Sequence, residues 1–356
     1  VISILHVVLT PRLSGAEVLV KDLAIEQRRR GSRVAISALA PEEPDFRPLH
    51  EQLAHAGVVC RFPPRRLGPA GRLAFMWRTI IRCKPDVVFA HATIPSFYVR
   101  ALPIAVPVVY VMHSASDDFA RPLFRRVESV LSRRASAIVA VSDALLAGYA
   151  ETVRRHPRMH VVLNGVDIAR FTRPPWVAQA DQAPRIVQVG RYAAVKNQLN
   201  TLRAFGRVLE RVPNAQLSFH GLIEDADYHA AVVRLTEEMG LAGHVTVGGP
   251  RTDVAELLAQ ASAFAMPSRS EGHSIAFLEA LASGVPIVAS AIAAFGFARA
   301  WPGVQLLDTD DVSGYAAALA SALHAPRTSR RLEGLTLTDT VDQYARIARE
   351  VIDDAR

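Results

Sequence analysis

Cysteine is scarce in this chain: Cys60 and Cys83 are the whole complement among 356 residues. Two thiols in so long a chain make no disulfide framework, which points to a reducing, cytosolic compartment. Cys83 sits in a helical pattern and reads as a core filler rather than a nucleophile. Long apolar runs are also missing. No stretch approaches the roughly 20 apolar residues that a membrane span needs. The opening residues 1–9 carry no basic leader or cleavage site, so they read as a strand and not as a signal peptide. Aromatic residues make up only 7% of the chain, and its basic runs hold no nucleic-acid reading motif, so nucleic acid is not an expected partner. No G-x-G-x-x-G follows the first strand, which speaks against a dinucleotide-dependent dehydrogenase. Short repeats and low-complexity tracts are absent too.

What is present is globular: half of the residues are hydrophobic and 21% are charged. The length exceeds what one ordinary core holds and suits two domains. Charge is unevenly placed. Residues 1–180 carry 25 Lys and Arg against 14 Asp and Glu, while residues 181–356 carry 16 against 20. The basic half suggests an anionic partner, best an anionic membrane surface or a phosphorylated lipid. A solvated surface rich in Arg is the equal alternative, since only Lys21, Lys84 and Lys196 are lysines. Two segments carry the membrane reading: Arg121, Arg125, Arg126, Arg133 and Arg134 among Leu123, Phe124, Val127, Val130 and Leu131, and a stretch of Arg around Leu73, Phe75, Met76 and Trp77.

Apolar runs of strand length alternate with helical spacing throughout. Strands are expected at 2–9, 34–39, 87–90, 108–112 and 137–141, then at 185–190, 216–220, 245–247, 263–266, 286–289 and 304–307. Helical patterns lie between them. Short β-branched strands separated by helices mean a parallel sheet covered on both faces. The proline-bearing stretch 173–184 breaks the rhythm. The expected architecture is therefore α/β, with two doubly wound, Rossmann-like domains at 1–172 and 185–336, a linker at 173–184 and a last helix within 337–356. Ligands of such sheets bind beyond the carboxyl ends of the strands, so a cleft between the domains is the expected site.

Five motifs stand at such places. After the strand 263–266 comes Glu271-Gly272-His273-Ser274-Ile275, opening a helix that carries Glu279 about two turns in. Gly272 lets a ligand approach the backbone, and the amides of residues 273–276 favour a phosphate or polarised hydroxyl. Taken singly, either Glu favours plain surface charge. After the strand 185–190, Gly190-Arg191 and Lys196-Asn197 place two cations in one loop. A planar fork and a point charge suit a diphosphate, although a lone pair of cations is more often solvated surface charge, a reading that the scarcity of lysine weakens slightly. Gly15 follows Ser14 at the first helix, where a plain N-cap is the competing reading. His91 and His113 end two strands, where a lone His is more often structural than functional; His113 stands ahead of His91 because it leads into the polar loop Ser114, Ser116, Asp117 and Asp118, which suits a sugar. Asn164-Gly165 marks a tight turn with a hinge as its main role.

Strung in this order, Glu271 with Glu279 and Gly284-Val285-Pro286, Gly190-Arg191 with Lys196-Asn197, and Asn164-Gly165-Val166-Asp167 resemble glycosyltransferase family 4, the retaining enzymes of the GT-B fold. The resemblance covers nearly the whole chain. It implies a cleft between the two domains, a nucleotide sugar (UDP- or GDP-sugar) as donor, and a glycan or lipid-linked acceptor. It implies no cofactor and no metal, so Asp117-Asp118 and Asp310-Asp311 default to surface charge. Arg191 and Lys196 would hold the diphosphate, Glu279 the ribose, and Glu271 the donor sugar with amides of His273, Ser274 and Ile275. Gly15 would lie beside the phosphates or acceptor and His113 near the sugar. The last helix would return to the N-terminal domain. The pathway implied is cell-surface polysaccharide or glycolipid synthesis, in the cytoplasm or on the inner face of the membrane. Two departures leave sugar and base open: His273-Ser274 replaces an apolar residue and Pro, and 291–303 lacks the usual Asn-Gly. A GT-B-like sugar-nucleotide epimerase and a non-catalytic sugar-nucleotide-binding protein are the alternatives.

Overall fold

The computed structural model describes residues 1–113, 117–172 and 183–356. They form two units, Val1–Gly165 with Gly334–Arg356, and Val166–Glu333. Of the expected linker, residues 173–182 lie outside the described residues, as do Ser114 and Ser116 of the polar loop.

In the first unit, strand and helix alternate: β1 (Ser3–Val8), α1 (Gly15–Arg29), β2 (Arg33–Ala38), α2 (Arg47–His55), β3 (Val59–Arg61), α3 (Pro69–Cys83), β4 (Val87–His91), α4 (Thr93–Ala101), β5 (Val108–Met112), α5 (Pro122–Leu131), β6 (Ala137–Ala140), α6 (Asp143–Thr152) and β7 (Met159–Val161). The sheet order is β3-β2-β1-β4-β5-β6-β7, and all pairings are parallel. Every residue of β1, β4, β5 and β6 is buried. That explains their largely apolar runs of Val, Ile, Phe and Ala, because helices cover both faces.

The second unit holds α7 (Ile168–Phe171), β8 (Arg185–Val189), α8 (Gln198–Leu209), β9 (Gln216–His220), α9 (Ala226–Glu238), β10 (Val245–Gly248), α10 (Val254–Gln260), β11 (Ala263–Met266), α11 (Ile275–Ser283), β12 (Ile287–Ser290), β13 (Val304–Leu307) and α12 (Val312–Ala322). Its parallel sheet has the order β10-β9-β8-β11-β12-β13. In each sheet the strand order reverses once beside the first strand of its unit, β1 or β8. Such switch points leave room beyond the strand ends.

The chain ends in α13 (Leu337–Asp353), which belongs to the first unit. A capping box starts it, Thr336 and Asp339 bonding each other's backbone. Its buried stripe is Thr340, Val341, Tyr344, Ile347, Ala348 and Val351, and Tyr344 packs on Phe89 with ring centroids 5.1 Å apart. Gly165 serves this docking. A Cβ there would stand 2.1 Å from the Thr336 carbonyl oxygen. Its φ is not among the positive values, so close approach and not a left-handed turn requires the glycine. That corrects the turn reading of Asn164-Gly165, whose Asn is buried.

Among the described residues, no helix is long and apolar enough to cross a membrane. In α3, Leu73, Met76, Trp77 and Ile80 pack into the core, so that helix does not present them to a bilayer. In α5, by contrast, Leu123 and Val130 are each 68% exposed.

Candidate active site

The segment after β11 is built as a loop, a cap and a helix. Ser274 is the N-cap of α11, and its hydroxyl accepts from the Phe277 amide at 3.4 Å. The helix begins only at Ile275, so Glu279 is its fifth residue and lies little more than one turn in. The expected two turns counted residues 271–274 as helix, whereas they are loop and cap. Glu279 and Ala280 beside it are both buried. Gly284 ends the helix in the left-handed region, with φ 75°. His273 is buried beside the exposed Phe297, ring centroids 5.7 Å apart, and burial pushes its imidazole down to about 4. In place of the missing Asn-Gly, residues 293–298 form a 3-10 turn whose Phe295 stacks on Phe277 at 4.4 Å.

The loop after β8 comes to meet this segment. Lys196 sits in a 3-10 turn, followed by Asn197 in the left-handed region at φ 55°. Lys196 Nζ lies 2.5 Å from Glu271 Oε1, with both side chains about nine-tenths buried. The two loops are also tied by the Arg269 amide, which donates to the Val195 carbonyl at 2.8 Å. Gly190 lies against the lysine stem, where a Cβ would stand in ordinary contact with Lys196 Cδ at 3.4 Å. Arg191 is half-exposed and lies 2.6 Å from the Glu224 carboxylate. The structure thus joins Gly190, Lys196 and Glu271, with Gly272, His273, Ser274 and Ile275 continuing from Glu271 into α11. The competing picture of two cations merely solvated at the surface does not hold, since each has a carboxylate partner.

Three residues that hold this loop escaped the sequence reading. Gln188 donates from Nε2 to the Lys196 carbonyl at 2.8 Å and accepts from the Thr201 hydroxyl at 2.8 Å. Gln198 donates to the Arg191 carbonyl at 2.8 Å. Gly221 lets β9 end against β8, since a Cβ there would meet the Gly190 oxygen at 2.0 Å. A polar residue inside an otherwise apolar strand was the available signal for Gln188. Asp310 accepts from Asn200 at 2.8 Å, and Asp311 caps α12 through the amides of Ser313 and Gly314. Both have structural partners.

The remaining candidates belong to the first unit. Gly15 opens α1, but Ser14 makes no side-chain bond to the helix amides; its hydroxyl donates instead to the Glu17 carboxylate. The plain N-cap reading therefore does not hold at the side chain. His91 is the last residue of β4, and its Nδ1 lies 2.7 Å from His113 Nε2. His6, inside β1, was not singled out in the sequence, yet it bonds His91 at 2.9 Å. Its signal was a histidine in the middle of an apolar strand.

Residues 13–170 match the family model for glycosyltransferase family 4, and residues 183–325 match that for glycosyl transferases group 1. The chain is 29% identical over 270 residues to glycogen synthase of Mycobacterium tuberculosis. That match spans 70% of this chain and 62% of the relative's length, so more than a third of glycogen synthase lies outside it. It is 26% identical over 362 residues to the D-inositol 3-phosphate glycosyltransferase of Segniliparus rotundus, covering 89% of this chain and 78% of that protein. In fold it resembles Anabaena HepE, solved in complex with UDP and glucose. The TM-score is 0.78 at 18% identity, over 97% of this chain and 99% of that one.

Proposed function

Because this chain belongs to glycosyltransferase family 4 and has the GT-B fold, we propose that it moves a hexose-type sugar from a UDP- or GDP-sugar to a hydroxyl of a glycan or lipid-linked acceptor, with retention at the anomeric carbon, in cell-surface polysaccharide or glycolipid synthesis. The observation that carries this reading is the Lys196–Glu271 pair, 2.5 Å apart at the approach to α11, with Glu279 buried in the same helix. Lys196 and Arg191 exchange their carboxylate partners for the donor diphosphate. Glu271, released from Lys196, accepts from hydroxyls of the donor sugar, aided by the amides at the start of α11. Glu279 accepts from the ribose hydroxyls.

Breaking the anomeric C–O bond leaves its electron pair on the diphosphate and positive charge on the sugar. Cations and amides already in place stabilise that charge as it grows, and this lowers the barrier. The acceptor oxygen bonds the anomeric carbon from the face the diphosphate leaves, and its proton passes to the departing phosphate. No dedicated base is needed, and the two cations supply the charge that a metal ion would otherwise bring. Anabaena HepE was solved with UDP and glucose, which makes UDP-glucose the first donor to try. The epimerase alternative predicts an epimer from the donor alone.

Nucleotide release from UDP-glucose and GDP-mannose tests the assignment. Lys196→Ala and Arg191→Ala are each expected to lower turnover by about 10²-fold or more. The ligand-free melting point of Arg191→Ala should barely move, because its pair is half-exposed. Turnover within threefold of the parent in both variants sinks the assignment.

A second reading concerns where the enzyme works: α5 lies on an anionic membrane surface. Leu123, Arg126, Val127 and Val130 follow one face of α5, with Arg133 just beyond it. Leu123, Arg126, Val130 and Arg133 are exposed. This face would hold the enzyme beside a lipid-linked acceptor.

A further inference from the structure

Three histidines run diagonally across the middle of the first unit's sheet. His6 lies on β1, His91 ends β4, and His113 follows β5. These strands are neighbours, and their register makes the row. His6 lies opposite Phe89, two residues before His91, and His91 lies opposite Val111, two residues before His113. A step of two residues returns to the same face of a sheet, so each ring stands one pleat nearer the carboxyl edge than the last. Ring centroids are 5.2 and 5.0 Å apart. His6 Nδ1 meets His91 Nε2 at 2.9 Å, and His91 Nδ1 meets His113 Nε2 at 2.7 Å. Gln27 of α1 closes the inner end, its Oε1 2.8 Å from His6 Nε2. At the outer end His113 Nδ1 is shut from solvent and has no hydrogen-bond partner among the described residues.

Counting donors gives the row a direction. The Gln27 Oε1 only accepts, so His6 Nε2 carries a proton. A neutral imidazole has one N–H, so His6 Nδ1 accepts from His91 Nε2, and His91 Nδ1 accepts from His113 Nε2. His113 Nδ1 is left as a bare lone pair. Burial keeps the rings neutral: His6 and His113 are pushed down to about 4, and His91 well below its ordinary value. The nitrogens satisfy one another, and no group of three or more His, Cys, Asp or Glu among the described residues is arranged to hold a metal ion. The row ends on an amide that takes no proton near neutral pH, so it orients and does not conduct. Tyr344 of α13 lies over His91, ring centroids 6.5 Å apart, and helps fix the ring planes.

We propose that Gln27, His6 and His91 are positioning residues that lock His113 in its Nε2–H tautomer, so that Nδ1 presents a fixed hydrogen-bond acceptor to a sugar hydroxyl. The identity of that ligand rests on the glycosyl-transfer reading; the tautomer does not. A locked acceptor distinguishes a hydroxyl from a hydrogen or an ether at the same place.

Long-range 15N–1H spectra of the imidazoles, recorded on the full chain at pH 7.5, test it. The expected result is protonated Nε2 and unprotonated Nδ1 at His6, His91 and His113. A proton on His113 Nδ1 would mean that Gln27 turns its Nε2 toward His6 and runs the row backwards, and would overturn the proposal. Gln27→Leu should mix the tautomers of His113; an unmixed Nε2–H form there shows that the row is not the cause. Adding UDP-glucose or GDP-mannose should move the His113 Nδ1 resonance, and unchanged resonances beside a clear rise in melting temperature would remove the sugar contact. Failure of both donors to bind would strike the transfer reading and leave the tautomer result standing.

Discussion

Arg100 shows how far a residue's type misleads without its neighbours. In the sequence it is one of many arginines in a basic half. In the structure its side chain and that of Glu128 are both fully buried, and they pair through two bonds of 2.9 and 2.6 Å. The Tyr149 hydroxyl donates to the same carboxylate at 2.6 Å, and the guanidinium lies over the Tyr110 ring at 5.0 Å. Burial and the Glu128 charge push the Tyr149 phenol up. The pair fastens α4 to α5, and 28 residues separate its members, so no local pattern announces it. Arg100→Met strands a buried carboxylate and should cost about 3–5 kcal/mol. Urea unfolding checks this, and a loss under about 1 kcal/mol would mean that Glu128 reaches water. The candidate site divides in the same way. Glu271, Gly272 and Gly190 were legible because a loop between strand and helix has a recognisable composition. Gly221 was not, because its role depends on the neighbouring strand β8.

At the scale of elements, the strands of the second sheet and the central strands of the first were legible, and the edges of the first were not. The inner strands announce themselves by apolar runs, as in β4, or by a run with a single polar interruption, as His6 in β1. β3 and β7 are three residues long with no residue buried, so they carry no such run. α4 was hidden because Pro95 stands at its third position, where a proline still fits the first turn but reads in sequence as a breaker. Helix ends also find partners that no short motif shows. Arg327 donates to the carbonyls of Leu258, Ala259 and Ala261 at the end of α10, and Arg330 to those of Leu281 and Val285 around the end of α11. Cations there complement the negative ends of the helix dipoles. α3 and α5 looked alike as basic amphipathic segments, and tertiary packing separated them. If α5 lies on anionic lipid, the protein should float with phosphatidylglycerol vesicles at low salt, and Leu123→Gln with Val130→Gln should lower the bound fraction severalfold. Salt should release it, since the Debye length shrinks from about 30 Å at 0.01 M to about 10 Å at 0.1 M. No flotation at low salt would end the membrane reading.

The whole molecule carries buried histidines in both units, and they set its response to acid. His6 and His113 in the first unit and His273 in the second are each held down to about 4, with burial the main cause. The unfolded chain binds these protons from about pH 6.5 downward, while the folded form refuses them until about pH 4. Their stabilisation is therefore complete above pH 6.5, falls as the pH drops toward 4, and falls no further below it. Glu26, held at about 2 chiefly by its bond to Arg29, has its own loss between about pH 4.5 and 2. Denaturation midpoints measured from pH 8 to pH 4 should be level and then decline below about 6.5. A flat profile across that range would show that these imidazoles reach solvent.

What the sequence determined by itself was everything written in contiguous residues. That includes the alternation of strand and helix, the parallel sheets implied by two-sided apolar runs, and the Gly-bearing loops at strand ends. Backbone preferences and hydrophobic period act over one or two turns, so a single stretch suffices to show them. Tertiary structure alone decided which of these pieces meet. Lys196 and Glu271 are 75 residues apart and His6 and His91 are 85, and strand order and register bring each pair together. Gly165 is required because Thr336 and Thr340, at the start of the distant helix α13, pack against it. Such choices follow from the summed burial of whole sheets, a quantity that no local stretch of residues contains.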